Sequence, residues 1–330
     1  MHKPRVFVTR VIPSVGLDRI RAACHAEIWP EPLPPSHEIL REKAEDCEGL
    51  LTMLTDRVDW RLLDACPRLR VVSNYAVGYN NIDVHSATER GIAVGNTPEV
   101  LTDATADMAF CLMIAAARRL VEANRDLHSG RWRTWEPMGH VGRDLVGRTL
   151  GIVGMGRIGS ALARRCRGGW GMRVLYADVK RRERAELELG AEWVDFDTML
   201  RESDFVSVHT TLNNGTRGMF DMRAFRKMKR TAVFVNTARG PIHVHEDLTR
   251  ALRDGVIFAA GLDVTDPEPL PAGDPLLALP NVVVAPHIAS ATVTSRDAMA
   301  EIAAENLIAG LAGKPLRAWV NPEVEGPRRR

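Results

Sequence analysis

The sequence predicts an α/β protein made of two doubly wound domains, and three observations predict it. Short β-rich runs alternate with amphipathic segments through the first hundred residues, as parallel strands joined by helices do. A second alternating series starts at Thr149 and opens on a glycine-rich turn. At 330 residues the chain exceeds the usual size of one hydrophobic core, so two domains are the default.

The strands of the first series are Val6 to Thr9, Ala26 to Trp29, Leu50 to Leu54, Leu69 to Asn74 and Ile92 to Asn96. Between them Val15 to Ala23, His37 to Cys47 and Trp60 to Cys66 carry apolar residues at helical spacing, and Gly49 and Pro67 stop two of these helices. Thr97-Pro98-Glu99 then has the signature of a helix start: a capping hydroxyl, a proline in the first turn and an acid. That helix is expected to run to about Leu127 and to cross between the domains. The segment from Gly130 to Gly142 is irregular and holds Trp132 and Trp135, which either fill a satellite core or form an exposed arm for contact within a homodimer.

In the second series the expected strands after Thr149 are Arg173 to Asp178, Ala191 to Val194, Asp204 to His209, Thr231 to Asn236, Phe258 to Asp263 and Asn281 to Ala285. Runs as apolar as Ala232 to Val235 suit a sheet covered on both faces. Ser295 to Leu311 reads as a long helix, and Leu316 to Val320 as an extended return. The tail is expected to complete the first domain, giving a substrate domain of residues 1–99 with 288–330 and a nucleotide domain of residues 100–287.

Composition excludes several classes. A net charge of +2, from 44 basic and 42 acidic residues, makes no case for nucleic acid, and the one dense basic run, Arg328 to Arg330, reads as a frayed end. Five cysteines without C-x-x-C spacing suit neither a disulfide framework nor a structural zinc site, so no metal is expected and a reducing cytoplasm fits best. No apolar run is long enough for a membrane helix; Met108 to Ala117, flanked by charges, reads as a buried helix.

The chemistry starts at Thr149-Leu-Gly-Ile-Val-Gly-Met-Gly-Arg-Ile-Gly159, which reads as a strand, a phosphate turn and the start of a helix. Gly154, Gly156 and Gly159 remove side chains that would keep a dinucleotide pyrophosphate from backbone N–H groups, the mark of a Rossmann domain. Asp178 ends the next strand at the offset of a ribose-binding carboxylate. In open α/β sheets ligands bind beyond the carboxyl ends of the strands. Three residues beyond such ends carry suitable chemistry: Arg239, Glu268 and His287. Reduction of a 2-keto acid needs a cation to hold the carboxylate and polarise the carbonyl, and an acid to protonate the nascent alkoxide. A carboxylate beside the histidine would favour its protonated form and orient its ring.

Together with Asn74 to Asp83, Gly91 to Pro98, Gly151 to Gly159, Phe234 to Gly240, Gly261 to Val264 with Glu268-Pro269, and Pro286 to Ser290, these residues give nearly the whole chain a resemblance to the D-2-hydroxyacid dehydrogenases, most of all to the glyoxylate/hydroxypyruvate reductase branch. The resemblance implies a flavodoxin-like substrate domain beside the Rossmann NAD(P)-binding domain. It implies Arg239, Glu268 and His287 as the catalytic set, with His287 the proton donor and Arg239 also binding substrate. Val77 and Gly78 would offer backbone N–H groups to the substrate carboxylate. Cofactor contacts are implied for Thr105, for Gly154, Met155, Gly156, Arg157, Ile158 and Gly159, and for Asp178, Thr210, Thr216, Thr237, Ala238, Arg239, Asp263 and His287, with Asp263 reaching the nicotinamide amide. Width of the substrate pocket would depend on Met53, Leu54 and Tyr75.

The chain departs from the family pattern at Thr211, where proline is common, and at Pro241, His243 and Val244, which puts the adenine pocket and the helix after Gly240 in question. Gly168 to Gly171 is one residue longer than usual. Asp178 favours NAD, because a carboxylate bonds ribose hydroxyls and repels a 2′-phosphate, while Lys180, Arg181 and Arg182 keep NADP as the alternative. The expected activity is therefore NAD(P)H-dependent reduction of glyoxylate or hydroxypyruvate to the D-2-hydroxy acid. The alternatives are a phosphoglycerate-type enzyme and a non-catalytic, NAD-sensing protein akin to the corepressors of this fold.

Overall fold

A computed structural model describes residues 3–324. The arginine run at 328–330 lies outside them. The chain divides into two compact units, one of residues up to Leu101 together with those from Ala291 onward, the other Thr102–Ser290.

The first unit runs β1 (Arg5–Val8), α1 (Ser14–Ala23), β2 (His25–Ile28), α2 (His37–Ala44), β3 (Gly49–Thr52), α3 (Trp60–Ala65), β4 (Val71–Asn74), α4 (Val84–Glu89) and β5 (Ala93–Gly95). Its five strands are all parallel, in the order β2-β1-β3-β4-β5. The middle strands β3 and β4 are buried along their whole length, which is why they read as apolar runs without alternation. Side chains cap the starts of three helices, with Ser36 accepting from the Ile39 amide, Asp59 from Leu62 and Asp83 from Ser86.

The second unit begins with α5 (Thr102–Ala117) and α6 (Leu120–His128) and continues through β6 (Thr149–Val153), α7 (Arg157–Trp170), β7 (Arg173–Ala177), α8 (Glu183–Leu189), β8 (Glu192–Trp193), α9 (Phe196–Glu202), β9 (Phe205–Val208), α10 (Met222–Lys227), β10 (Val233–Asn236), α11 (His245–Arg253), β11 (Ala259–Leu262) and β12 (Val282–Val284). Its seven parallel strands lie in the order β12-β11-β10-β9-β6-β7-β8. The direction of winding reverses between β6 and β9, and the carboxyl edge at such a switch point is where open α/β sheets bind ligands. The last helix, α12 (Val293–Leu311), packs on α1, β3, β4 and β5 and so belongs to the first unit. Beyond it, Leu316 to Val320 forms no full strand. It makes one antiparallel bridge, Trp319 to Gly95, and is tied by buried Asn321, whose side-chain oxygen accepts from the Val94 amide at 2.7 Å.

Several expectations are corrected. The single helix from Thr97 to Leu127 does not form. Glu99 sits at φ 76°, Thr97 is fully buried with its amide donating to Ala76, and the helix starts only at Thr102. It ends at Ala117, because Arg119 turns left-handed at φ 55° and its guanidinium pairs with Glu122, the first acid of α6. Nor does α5 cross between units: its packing partners are α7, β10, β11 and β12, and Ala106, Ala109, Leu112 and Met113 are buried there. Trp132 and Trp135 fill no satellite core, being 65% and 78% exposed beside an equally exposed Met138. The additional residue at Gly168 to Gly171 is absorbed by α7, which runs to Trp170 and is capped by a left-handed Gly171. The departures after Gly240 do not prevent a helix. A 3-10 turn over Gly240–Ile242 leads into α11, whose first turn carries Glu246 and Asp247 at the positive end of the helix dipole.

Among the described residues no helix is long and apolar enough to cross a membrane, and Met108 to Ala117 lies within the core helix α5.

Candidate active site

The glycine turn between β6 and α7 divides its work among three positions. Gly154 takes φ +91°, and a Cβ there would meet the Thr210 amide nitrogen at 2.8 Å. A Cβ on Gly159 would lie 2.4 Å from the Gly154 carbonyl oxygen, so this glycine lets α7 close on the turn. At Gly156 a Cβ would meet nothing within 4 Å. Its absence leaves clear space over the N-terminal amides of α7, at Arg157 and Ile158, where helix N–H groups lack intrahelical partners. Tight turn, open approach and close helix packing are the three requirements of a pyrophosphate cradle, and the residues present fit a dinucleotide.

Asp178, just beyond β7, is anchored rather than free to swing. Its carboxylate accepts from the Met155 amide at 3.0 Å, the Lys180 amide at 3.3 Å and the Arg182 guanidinium at 3.2 Å, and its side chain is only 8% exposed. Arg181 is paired with Glu186 at 2.7 Å. Thr105 is buried in α5 and Thr237 just after β10, the latter with its hydroxyl lacking a hydrogen-bond partner among the described residues. Thr216 is occupied in its own turn, accepting from the Asn213 amide and donating to the Thr211 carbonyl. Thr210 directly follows the half-buried His209, whose Nε2 meets the Ser207 hydroxyl at 2.9 Å and whose pKa burial lowers to about 4.

Arg239, Glu268 and His287 all fall within the second unit, beyond the carboxyl ends of β10, β11 and β12. The ring of His287 meets Glu268 through Nδ1 and Oε1. Burial would raise the Glu268 carboxyl, but the hydrogen bond and charge of His287, the Thr265 amide and the Arg239 charge outweigh it and hold Glu268 below its ordinary 4.5. The carboxylate is therefore ionised at neutral pH, so Nδ1 carries the proton it shares and Nε2 is the nitrogen left for exchange. Burial lowers the Arg239 pKa against the pull of Glu268, yet a guanidinium remains charged throughout the working range.

The loops bearing the three side chains pack tightly. A Cβ on Gly240 would lie 1.9 Å from the Thr265 carbonyl oxygen, so the Arg239 turn rests on the backbone that leads to Glu268. Thr265 in turn donates to the Pro267 carbonyl at 2.8 Å. His287 adopts φ +55°, and its amide donates to the Asp263 carbonyl at 2.9 Å. The Asp263 carboxylate accepts from the Ile288 and Ala289 amides, each at 2.8 Å, while its burial pushes its pKa up.

In the first unit Val77 and Gly78 lie in the loop after β4. Their carbonyls are held by Asn96 and Asn74, at 2.8 and 2.9 Å, while neither amide donates to an acceptor among the described residues. Tyr75 is buried with its hydroxyl donating to the Arg296 carbonyl, and Leu54 is 36% exposed. Sequence reasoning assigned no part to Asn74, Asn96, Asn236 or Asp263 as loop anchors. Each is a polar residue at or just past a strand end, and that position was the available signal.

Comparison with known proteins identifies the family and the fold. Residues 110–289 match the model of the D-isomer specific 2-hydroxyacid dehydrogenase NAD-binding domain. A glyoxylate reductase from Korarchaeum cryptofilum is 53% identical over 98% of this chain and 97% of its own. A crystal structure from Thermus thermophilus superposes with a TM-score of 0.90 at 44% identity, covering 96% of this chain and 99% of the other. An NADPH-dependent glyoxylate/hydroxypyruvate reductase from Sinorhizobium meliloti, solved with NADP and malonate, gives 0.85 at 31% identity over 99% of both chains. With a dinucleotide cradle at the switch point and a carboxylate-paired histidine beyond the strand ends, this chain belongs to the D-isomer specific 2-hydroxyacid dehydrogenase family of NAD(P)-dependent oxidoreductases.

Proposed function

We propose that the enzyme reduces glyoxylate, and with it hydroxypyruvate, to the corresponding 2-hydroxy acid, using NADH in preference to NADPH. The observation that carries this reading is the His287 and Glu268 pair in the same unit as Arg239. The nicotinamide, when bound, supplies the hydride that adds to the carbonyl carbon. Arg239 holds the substrate carboxylate and polarises the carbonyl, and its partial burial strengthens that attraction by excluding water. In the first unit the Val77 and Gly78 amides are N–H donors of the kind that binds a carboxylate. His287 delivers a proton from Nε2 to the developing alkoxide, so that one hydride and one proton complete the reduction. Glu268 fixes the ring through Nδ1 and stabilises the imidazolium.

The cofactor is held by the glycine turn from Gly154 to Gly159, by Asp178 on the adenosine ribose, and by Thr105, Thr210, Thr216, Thr237, Ala238 and Asp263. Anchoring of Asp178 by the Met155 amide supports NADH, since a fixed carboxylate opposes a 2′-phosphate. Exposure of Trp132, Trp135 and Met138 on one segment supports a homodimer in which they are covered. Five cysteines that form no disulfide among the described residues, four of them buried, suit the cytoplasm.

Following nicotinamide absorbance with glyoxylate, hydroxypyruvate and a panel of larger 2-keto acids tests the activity. Glyoxylate should give the highest kcat/KM, and His287→Ala should lower kcat by about 10²- to 10⁴-fold; a variant as fast as wild type refutes the assignment. Asp178→Ala should reduce the preference for NADH over NADPH by about tenfold or more, and an unchanged ratio would show that Asp178 does not read the ribose. Glu268→Gln tests the carboxylate through linkage. A carboxyl depressed in the folded state stabilises above its ordinary 4.5 and loses that contribution as pH falls through the lower folded value. The gap in Tm between wild type and variant should thus be full at neutral pH and close on acidification below 4.5, whereas a gap independent of pH counts against an ionised Glu268. Trp135→Ala should raise the dimer dissociation constant about 30-fold in sedimentation, and an undisturbed dimer would place the interface elsewhere.

A further inference from the structure

The turn that carries Arg239 is tied to the end of β10 by one side chain. The Asn236 amide group donates to the Arg239 carbonyl at 2.9 Å, and its oxygen accepts from the Ala238 amide at 2.9 Å. These two contacts fix which end of the side chain is oxygen and which is nitrogen, because exchanging them would set two donors and two acceptors face to face. The nitrogen has a second hydrogen, and 3.1 Å from it stands Nδ1 of His243. With Asn236 donating, Nδ1 must accept, so the ring is the neutral tautomer with its proton on Nε2.

Burial keeps His243 neutral, and its Nε2 meets no hydrogen-bond partner among the described residues, so Asn236 is the partner that fixes the tautomer. His243 is 2% exposed, its ring meets Phe234 edge to face, and burial together with the nearby His245 lowers its pKa to about 3. Its backbone is fastened as well: its amide donates to the Gly240 carbonyl, and the Phe220 amide donates to Ile242 while Val244 returns a bond to Phe220. Asn236 thus has both hydrogens and its oxygen engaged, two of the three bonds going to the turn of Arg239 and the third to a ring anchored on the following segment. An apolar side chain at position 243 would leave the third unmet in a buried place, where an unpaired N–H is costly and the amide gains reason to rotate.

We propose that His243 is a positioning residue for substrate binding, acting through Asn236 to hold the turn that presents Arg239. This rests on the reading of Arg239 as the group that binds the keto-acid carboxylate. His243 touches no reacting atom. It sets the aim of the guanidinium by denying Asn236 an alternative orientation.

The test compares His243→Leu, which keeps bulk and removes the acceptor, with His243→Asn, whose side-chain oxygen can replace Nδ1. Arg239→Ala serves as the reference. Each is assayed as the full-length enzyme for kcat and KM with glyoxylate, for NADH affinity by fluorescence titration, and for Tm. His243→Leu should raise the glyoxylate KM about tenfold while leaving NADH affinity within about twofold, and His243→Asn should return KM to within about twofold of wild type. The proposal is overturned if His243→Leu leaves KM unchanged while Arg239→Ala raises it, if His243→Asn is as impaired as His243→Leu, or if the rise in KM is matched by an equal loss of NADH affinity. Should His243→Leu fail to fold, His243→Gln takes its place, since its longer side chain carries the polar atoms past the Nδ1 position; equal KM values for the Gln and Asn variants then overturn the proposal. An unchanged KM in Arg239→Ala overturns the underlying reading of Arg239, and is separable from these outcomes because it appears in the reference variant.

Discussion

His287 stands in left-handed backbone at φ +55°, a conformation that costs a non-glycine residue about 1 kcal/mol or more, and the loop that holds it there hangs on Asp263. The Asp263 carbonyl takes the His287 amide and its two carboxylate oxygens take the amides of Ile288 and Ala289. Three consecutive N–H groups thus find acceptors on one residue at the end of β11. The carboxyl is itself buried, so these donors also answer the penalty of removing it from water. Loosening Asp263 would release the backbone of His287 and with it the bond from Nδ1 to Glu268.

The same device recurs along both sheets. A parallel sheet buried on two faces needs apolar strands, so polar side chains concentrate where the strands stop and the backbone must turn. Asn74 at the end of β4 bonds the Gly78 carbonyl, and Asn236 at the end of β10 bonds the Arg239 carbonyl. Each ties down a short loop through a carbonyl, and Asn236 also accepts from the Ala238 amide. Local rigidity at these ends costs few residues, because an amide side chain satisfies donor and acceptor together. The strand ends of a parallel sheet lie along one edge, so loops stiffened in this way share that edge without further support.

Much of the fold was legible because its signals are local. Alternation and apolar runs located the strands of both sheets to within a few residues, and the glycines at 154, 156 and 159 marked the turn, while their separate roles came from their surroundings in the fold. Where local signals competed with packing, packing won. Thr97-Pro98-Glu99 has the composition of a helix start, yet burial of Thr97 and the left-handed Glu99 make it a turn. Nothing local in Arg118-Arg119 announces a break; the left-handed Arg119 supplies it, with its guanidinium drawn to Glu122. For Trp132 and Trp135 the sequence leaves a satellite core and an exposed arm equally open, and only the path of the loop puts them on the surface.

For the candidate site the division is similar. The sequence by itself determined the kinds of group available: a glycine cradle, an acid after the second strand of the Rossmann unit, and an arginine, a glutamate and a histidine beyond later strand ends. These follow from motif and spacing, which survive without knowledge of contacts. Tertiary structure alone decided what each group is bonded to. Asp178 is pinned by Met155, 23 residues away, Glu268 meets His287 across 19, and Ile288 and Ala289 find Asp263 across 25 and 26. His243 looked like a departure from the family pattern until folding set its ring against Asn236. The physical reason is that hydrogen bonding and burial belong to neighbours in space, and a chain's pattern of residue types records its elements more faithfully than it records which loop ends will meet.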